Sequence, residues 1–201
     1  MSETTVLTDV HEFVEALVRV PSGPEFVPQV SALVEQTVLD PQSLSKYAHF
    51  VKNCYTRNLI HRNERFEVIA LCWQPGQVSS IHNHRDQSCW VLMAQGQLEA
   101  QNYQVHDRDE QAKTCRLVPS DVMLVEQGGF VTVDDDEPVH QVRNLAKWET
   151  PAISVHVYSA PIDTCEVYCP EKGVYGDVQL SYWSTHGKLT HAQRFNPCQG
   201  T

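Results

Sequence analysis

From about residue 51 onward, short runs of β-branched and aromatic residues alternate with turn residues such as Gln74-Pro75-Gly76. Many short strands at near-regular spacing are typical of a β-sandwich or a β-barrel. The predicted strands span residues 53–60, 65–73, 79–84, 89–94, 97–104, 113–118, 122–126, 130–133, 139–144, 152–159 and 164–169. The sequence therefore predicts a mainly β fold for this part of the chain.

The residues before this point show the period of amphipathic helices. Apolar residues recur at the i, i+3, i+4 spacing between Asp9 and Arg19, with Asp9 as the N-cap. A second helix is expected from Phe26 to Val34, and a short third one starts at Asp40-Pro41. We expect one domain, because the chain length suits a single hydrophobic core. Its parts within residues 1–201 are N-terminal helices in 1–50, a β-barrel in 51–184 and a loosely held tail in 185–201.

Charge and hydropathy exclude several classes of protein. The 25 Asp and Glu residues outnumber the 15 Lys and Arg residues, so a basic surface for nucleic acid is not expected. The first residues lack the basic and apolar regions of a signal peptide, and no apolar run reaches the roughly 18 residues of a membrane span. We expect a cytoplasmic protein, monomeric, that binds neither nucleic acid nor membrane.

Two histidines, His82 and His84, lie in an apolar, β-prone run, so both side chains would point to the same face of a strand. The stretch from Gly76 to Gly96 around this pair resembles the first sequence motif of the cupin superfamily. It departs from that motif at Cys89, which fills the position of the usual glutamate.

A third histidine opens the segment His140-Gln-Val-Arg-Asn144, which resembles the second cupin motif. Three neutral imidazoles favour Fe, Zn, Cu or Ni over Mg or Ca, which prefer oxygen ligands. A site without the usual carboxylate is also more positive by one charge. Such a site should favour an anionic ligand, for example a thiolate.

Tyr55 and Arg57 share one face of the first predicted strand. An inward-facing arginine needs a partner because its guanidinium does not lose its charge. A substrate carboxylate held by two hydrogen bonds would be such a partner. A structural ion pair at the rim of the barrel is the alternative reading of this segment.

The segment from Ala152 to Tyr158 alternates polar and apolar residues. Ser154, His156 and Tyr158 would line one face of a strand while the intervening apolar residues pack behind it. A Ser–His–Tyr chain of hydrogen bonds would orient the phenol. A hydrogen-bonded network without catalytic role in the core is the alternative.

Together these segments resemble the cysteine dioxygenases, which are thiol dioxygenases of the cupin superfamily. The resemblance covers about residues 54–165 and depends on the order and local spacing of several short motifs. The matching pieces are Cys54-Tyr-Thr-Arg57-Asn-Leu, Cys72-Trp73, Ser79-Ser-Ile-His82-x-His84-x4-Cys89, His140-x-Val-x-Asn144, Ser154-x-His156-x-Tyr158-Ser159 and Asp163-Thr-Cys165. The fold that this implies is a cupin (jelly-roll) β-barrel preceded by a small α-helical segment.

The resemblance also implies a metal and substrates. One Fe(II) per chain would be bound by His82, His84 and His140, and L-cysteine would chelate it through its thiolate and amine. O2 would be the second substrate, and cysteine sulfinic acid, a product of cysteine catabolism, would be formed.

Further roles are implied for the side chains around the substrate. Arg57 would grip the α-carboxylate, with Tyr55 beside it. The hydroxyl of Tyr158 would orient the substrate, and His156 and Ser154 would hold that tyrosine in place.

Some members of the family form a thioether between a cysteine and a tyrosine at the positions of Cys89 and Tyr158, and both partners are present here. The chain departs from one member of the family at Ser159-Ala160-Pro161, where that member has Ser-Pro-Pro. The pocket wall is expected to differ slightly at this point.

The residue at position 57 bears on the choice of substrate. Relatives that oxidise 3-mercaptopropionate carry glutamine at the position of Arg57, so Arg57 favours cysteine. Two other hypotheses are a dioxygenase for another small thiol, such as 3-mercaptopropionate or cysteamine, and a non-catalytic metal-binding cupin. The last would bind its ligand without consuming oxygen.

Overall fold

The computed structural model describes residues 7–133 and 139–190, which form two large β-sheets and a small helical segment. The helices are α1 (Val10–Arg19), α2 (Phe26–Glu35) and two 3-10 helices, Pro41–Tyr47 and Ala146–Trp148. The strands are β1 (Leu7–Thr8), β2 (Val38–Leu39), β3 (Thr56–Arg62), β4 (Glu67–Trp73), β5 (Ile81–His82), β6 (Cys89–Gln95), β7 (Gln97–Asp109), β8 (Thr114–Glu126), β9 (Phe130–Val133), β10 (Val139–Arg143), β11 (Ala152–Tyr158), β12 (Thr164–Cys169), β13 (Val174–Gln179), β14 (Ser184–Thr185) and β15 (Lys188–Leu189). None of the described helices is long and apolar enough to cross a membrane.

Six strands close into a barrel in the order β10-β5-β12-β13-β8-β7, and seven form a sheet in the order β15-β14-β3-β4-β11-β6-β9. The pairings within both are antiparallel except that of β14 with β3. This arrangement confirms the predicted fold class, a mainly β cupin fold with helices at the N-terminal side. The assignment of the whole chain to one domain stays a prediction.

The seven-stranded sheet is buried on both faces. Phe13 and Val30 of the helices pack on one face, against residues such as Val155. The other face carries a second apolar cluster, in which Ile69 of this sheet meets Val125 of the barrel. Side chains on this second face therefore point into the space between the two sheets, away from bulk water.

Strand pairing continues from the end of the predicted barrel into the first residues of the predicted tail. Ser184 is fully buried, and its hydroxyl donates a hydrogen bond of 2.9 Å to Oδ1 of Asn58. β14 extends the sheet beside β3 and pairs with β15. The expectation of a loosely held tail in 185–201 stays a prediction, because only its first residues are described and residues 191–201 lie outside the described part.

Candidate metal centre and active site

The structure brings together the three histidines of the two short motifs. His82 on β5 and His140 on β10 are direct cross-strand partners, and His84 follows two residues after His82. One ring nitrogen from each lies within 4.8 Å of those from the other two. Sheet pairing thus joins two motifs that are far apart in the sequence.

Burial favours the neutral form of all three imidazoles. Burial lowers the pKa of His84 and of His140 well below the ordinary value, and the neighbouring imidazoles lower both further. Burial also lowers the pKa of His82. Nδ1 of His82 donates to the carbonyl oxygen of Ser80 at 2.9 Å, so its lone pair remains on Nε2. A neutral imidazole with a free lone pair is the form that binds a metal ion.

A transition metal fits this group of side chains. Nδ1 of His84 is buried without a hydrogen-bond partner in the described part of the chain, so the protein alone leaves a polar atom of this cluster unsatisfied. No carboxylate belongs to the group, which disfavours Mg and Ca. Within residues 7–133 and 139–190, no other set of three His, Cys, Asp or Glu residues could hold a metal.

A pocket that is partly open to solvent lies beside the histidines. Its wall includes His82 and His84 from the barrel side and Tyr55, Arg57 and Tyr158 from the sheet side. The ring of Tyr55 stacks on a buried tryptophan with the ring centroids 4.3 Å apart, which limits its movement. The pocket therefore joins two of the three candidate metal ligands and the candidate carboxylate-binding pair in one space.

The guanidinium of Arg57 is buried but incompletely satisfied. Its Nε and Nη2 atoms have no hydrogen-bond partner among the described residues. Oε1 of Glu67 lies 3.7 Å from Nη2, which makes an ion pair but is too long for a hydrogen bond. Burial acts to lower the pKa of Arg57, but Tyr158, Tyr55 and Glu67 together raise it above the ordinary value. The structural ion pair is present, and it leaves two donors of the guanidinium unused.

Sequence reasoning missed Glu67. This fully buried carboxylate begins β4 and lies 3.7 Å from Arg57 and 3.3 Å from Arg62. Burial raises the pKa of Glu67, against the opposing effect of the two arginines. The available signal was the β3–β4 hairpin, because its register pairs Arg62 with Glu67 across the strands.

Three polar side chains of β11 face the space between the sheets, as predicted from the alternation. Nε1 of Trp73 donates to Oγ of Ser154 at 3.1 Å, and this Oγ lies 3.0 Å from Nε2 of His156. Because the indole can only donate, the hydroxyl proton of Ser154 is free to bond His156. The other ring nitrogen, Nδ1 of His156, lies 3.9 Å from Sγ of Cys89.

The predicted Ser–His–Tyr chain of hydrogen bonds is wrong at its second link. Within the described residues no hydrogen bond joins His156 to Tyr158, and the rings lie nearly parallel with centroids 6.2 Å apart. Side chains two residues apart on a strand stand side by side at about this distance. The ring of Tyr158 instead meets His84 edge-on, with the ring planes at 90°.

Cys89 and Tyr158 are buried cross-strand partners on β6 and β11. Burial raises the pKa of Tyr158 well above the ordinary value, and the nearby Cys89 thiol raises it further. Burial likewise raises the pKa of Cys89. Both groups are therefore protonated at neutral pH, and the phenol is a hydrogen-bond donor beside His84.

Comparison with known proteins gives one consistent family. The family model described as "Cysteine dioxygenase type I" matches residues 6–171. Cysteine dioxygenase type 1 of Danio rerio is 33% identical over 165 residues, which cover 82% of this chain and 80% of the relative. The protein of that name from Homo sapiens is 32% identical over the same shares.

The similarity to solved structures is weaker than the similarity to these relatives. A protein with a double-stranded β-helix domain from Klebsiella pneumoniae is 16% identical, with a TM-score of 0.44 over 68% of this chain and 95% of that one. A cupin 2 domain-containing protein from Halorhodospira halophila is 13% identical, with a TM-score of 0.43 over 61% of this chain and 76% of that one.

Proposed function

The chain belongs to the cysteine dioxygenase type I family, and we propose that it oxidises the thiol of L-cysteine with O2 to give cysteine sulfinic acid. One Fe(II) per chain would be bound by His82, His84 and His140. Both oxygen atoms end on sulfur, so the thiol and O2 together account for every atom of the product. When bound, the iron would supply the redox chemistry and lower the pKa of a coordinated thiol.

The observation that carries the proposal is the position of Arg57. Its guanidinium lines the same pocket as His82 and His84, and two of its nitrogen atoms are buried without a hydrogen-bond partner in the described chain. A buried donor without a partner costs about 1–3 kcal/mol, so a ligand that accepts from it is favoured. The α-carboxylate of cysteine is such a ligand, and charge-assisted hydrogen bonds of this kind are among the stronger ones.

The tyrosines and β11 would position the substrate. Tyr55, stacked on its tryptophan, closes the pocket beside Arg57. Tyr158 is protonated and can donate a hydrogen bond to the substrate next to His84. Ser154 and His156, which are buried on the same face of β11 as Tyr158, are joined by a hydrogen bond and would keep this face of the strand in place. These side chains exclude water and orient the thiol without themselves being oxidised.

We also propose a Cys89–Tyr158 thioether. Its formation would remove one hydrogen from the thiol and one from the phenol ring, with the two electrons passing to O2. The direct cross-strand register and the burial of both residues support it. Such a bond would fix the phenol covalently, in addition to its burial and its edge-on contact with His84.

We also propose a cellular location and an oligomeric state for the enzyme. We expect a cytoplasmic monomer without nucleic-acid or membrane partners, and the formal charge of -10 supports the first of these exclusions.

The test is oxygen uptake by protein loaded anaerobically with Fe(II), using L-cysteine, 3-mercaptopropionate and cysteamine in parallel and identifying products by mass. Uptake with L-cysteine that yields cysteine plus two oxygen atoms is the expected result. A preference for either other thiol would make the chain a dioxygenase for that substrate. Iron binding without uptake for any thiol would favour the non-catalytic metal-binding cupin.

A further inference from the structure

The segment that carries two of the proposed ligands has little strand pairing of its own. β5 contains only two residues, and His84 lies beyond its end. The turn that follows contains Arg85 and Asp86 at φ values of 55° and 59°, which residues other than glycine seldom adopt. Contacts other than those of β5 must therefore hold the imidazole of His84.

Such contacts converge on Asn83, which lies between the two histidines. Its backbone N–H donates to the carbonyl oxygen of Glu166 at 3.2 Å, and its Oδ1 accepts from the backbone N–H of Glu166 at 3.0 Å. Its Nδ2 donates to Oε2 of Glu166 at 2.9 Å. Three hydrogen bonds to one residue leave the backbone of Asn83 little freedom to move.

Glu166 is itself fixed by two side chains. Nη1 and Nη2 of Arg108 donate to its two carboxylate oxygens at 3.1 and 2.8 Å, and the hydroxyl of Tyr168 donates to Oε2 at 2.8 Å. A two-pronged arginine–carboxylate pair is strong and geometrically specific. Asn83, Glu166, Arg108 and Tyr168 are called the Asn83 clamp below.

We propose that the Asn83 clamp positions the imidazoles of His82 and His84 for a shared metal ion. The inference rests on the proposed function, because it concerns the same metal site. Asn83 lines the pocket between the two histidines, whereas Glu166, Arg108 and Tyr168 are not part of its wall, so these three act through Asn83. Hydrogen-bond partners around metal ligands typically change metal affinity by about 10- to 100-fold.

The first test compares Glu166→Gln with Glu110→Gln. Both variants remove one carboxylate charge from Arg108, since Glu110 also pairs with it, but only Glu166 bonds Asn83. Competition with a chelator under anaerobic conditions measures the affinity for Fe(II). We expect E166Q to bind Fe(II) about 10- to 100-fold more weakly and E110Q to bind it as the unmodified protein does.

The second test asks whether Glu166 acts through Asn83. Asn83→Ala should weaken Fe(II) binding, and adding E166Q to N83A should cause no further loss, because the two side chains act in one path. Losses that add fully in the double variant would overturn the clamp. Should E166Q not fold, Tyr168→Phe, which deletes one hydrogen bond to Glu166, replaces it with a smaller expected loss.

Thermal unfolding of the metal-free proteins distinguishes a clamp that positions the metal ligands from one that only stabilises the fold. E166Q and E110Q that unfold at the same temperature but differ in Fe(II) affinity would support the clamp. Equal affinity in the two variants would overturn it and leave the proposed function standing. If the unmodified protein binds no Fe(II), the proposed metal site fails, and the clamp fails with it.

Discussion

At the scale of single residues, we propose that Arg57 selects ligands that carry a carboxylate. Glu67 neutralises its charge only at a distance, and the two buried nitrogen atoms point to a missing acceptor. Removing the guanidinium should therefore affect ligands that carry a carboxylate much more than ligands that lack one.

Replacing Arg57 by glutamine should lower kcat/KM for L-cysteine at least about tenfold, because a hydrogen bond to a charged group contributes about 1.5–3 kcal/mol. Cysteamine has no carboxylate, so its oxidation should change little. Oxygen uptake with both thiols measures the difference. Arg65→Gln is the matched control, since Arg65 donates to the backbone carbonyls of Val18 and Val20 away from the pocket. Equal losses for the two thiols would contradict the role of Arg57.

The Cys89–Tyr158 pair gives a prediction about covalent mass. Protein that has turned over cysteine should contain a fraction lighter by two hydrogens, because the thioether forms between two buried cross-strand neighbours. Intact-mass measurement before and after turnover tests this. Cys89→Ser cannot form the bond, so the same mass loss in that variant would rule out the assigned pair.

At the scale of strands and turns, local pattern revealed part of the site. Alternation along β11 was enough to place Ser154, His156 and Tyr158 on one face, because a strand has a period of two. Glu67 and Glu166 could not be found in this way. Their partners, such as Arg108 for Glu166, come from other strands, and strand register depends on packing across the whole sheet.

Some predicted strand boundaries differ from the observed ones, because pairing with a neighbouring strand also decides where a strand ends. The runs predicted at 113–118 and 122–126 form one strand, β8, that continues through Pro119. The pairing of β7 with β8 shifts register beside this proline, and such an irregularity tolerates a residue without an N–H donor. The low strand propensity of proline predicts a break at Pro119, but pairing with β7 keeps β8 continuous through this residue.

Gly96, in the turn between β6 and β7, lies close to the backbone at the start of β11. Its φ is 72°, and an added Cβ would lie 2.8 Å from the carbonyl oxygen of Pro151. Gly96→Ala should lower the free energy of unfolding by at least about 1–3 kcal/mol, as left-handed backbone is costly for alanine. Denaturant unfolding measures the loss. Gly176→Ala is the control, since its Cβ would meet nothing within 4 Å, and a comparable loss there would contradict the explanation.

For the molecule as a whole, the seven-stranded sheet separates two apolar clusters. One joins the sheet to the helices, and the other joins it to the barrel around the site. Residues of the first cluster should affect stability without changing the chemistry of the pocket.

Phe13→Ala tests this separation. Phe13 is 1% exposed in the helix-side cluster, and such a truncation in a core typically costs about 3–5 kcal/mol. Denaturant unfolding should show the loss, while kcat at a temperature where the variant is folded should match that of the unmodified protein. A lower kcat in the fully folded variant would show that packing of the helices on the sheet affects the chemistry of the site.

The stability of the metal-free protein should depend on pH through His156. Burial, together with Arg57 and His82, lowers the pKa of His156 from the ordinary 6.5 to about 3. Between these values the unfolded chain binds the proton and the folded one does not. Stability is therefore fully present above pH 6.5 and falls as the pH drops toward 3, by up to about 1.4 kcal/mol per pH unit for this group.

Denaturant unfolding of the metal-free protein at pH 7 and pH 5 measures this dependence. His156→Gln removes the titrating group, so its stability should fall less steeply over the same interval. An unchanged slope in H156Q would mean that other groups cause the effect.

The alternation along β11 also limits how chains of this kind can diverge. Inserting or deleting one residue in the strand would exchange its faces, turning Ser154, His156 and Tyr158 toward the helices and the apolar residues toward the pocket. Changes of strand length would thus destroy the core and the site in one step. New substrate preferences are accessible by single substitutions at alternate positions of the strand, whereas insertions and deletions are confined to the loops.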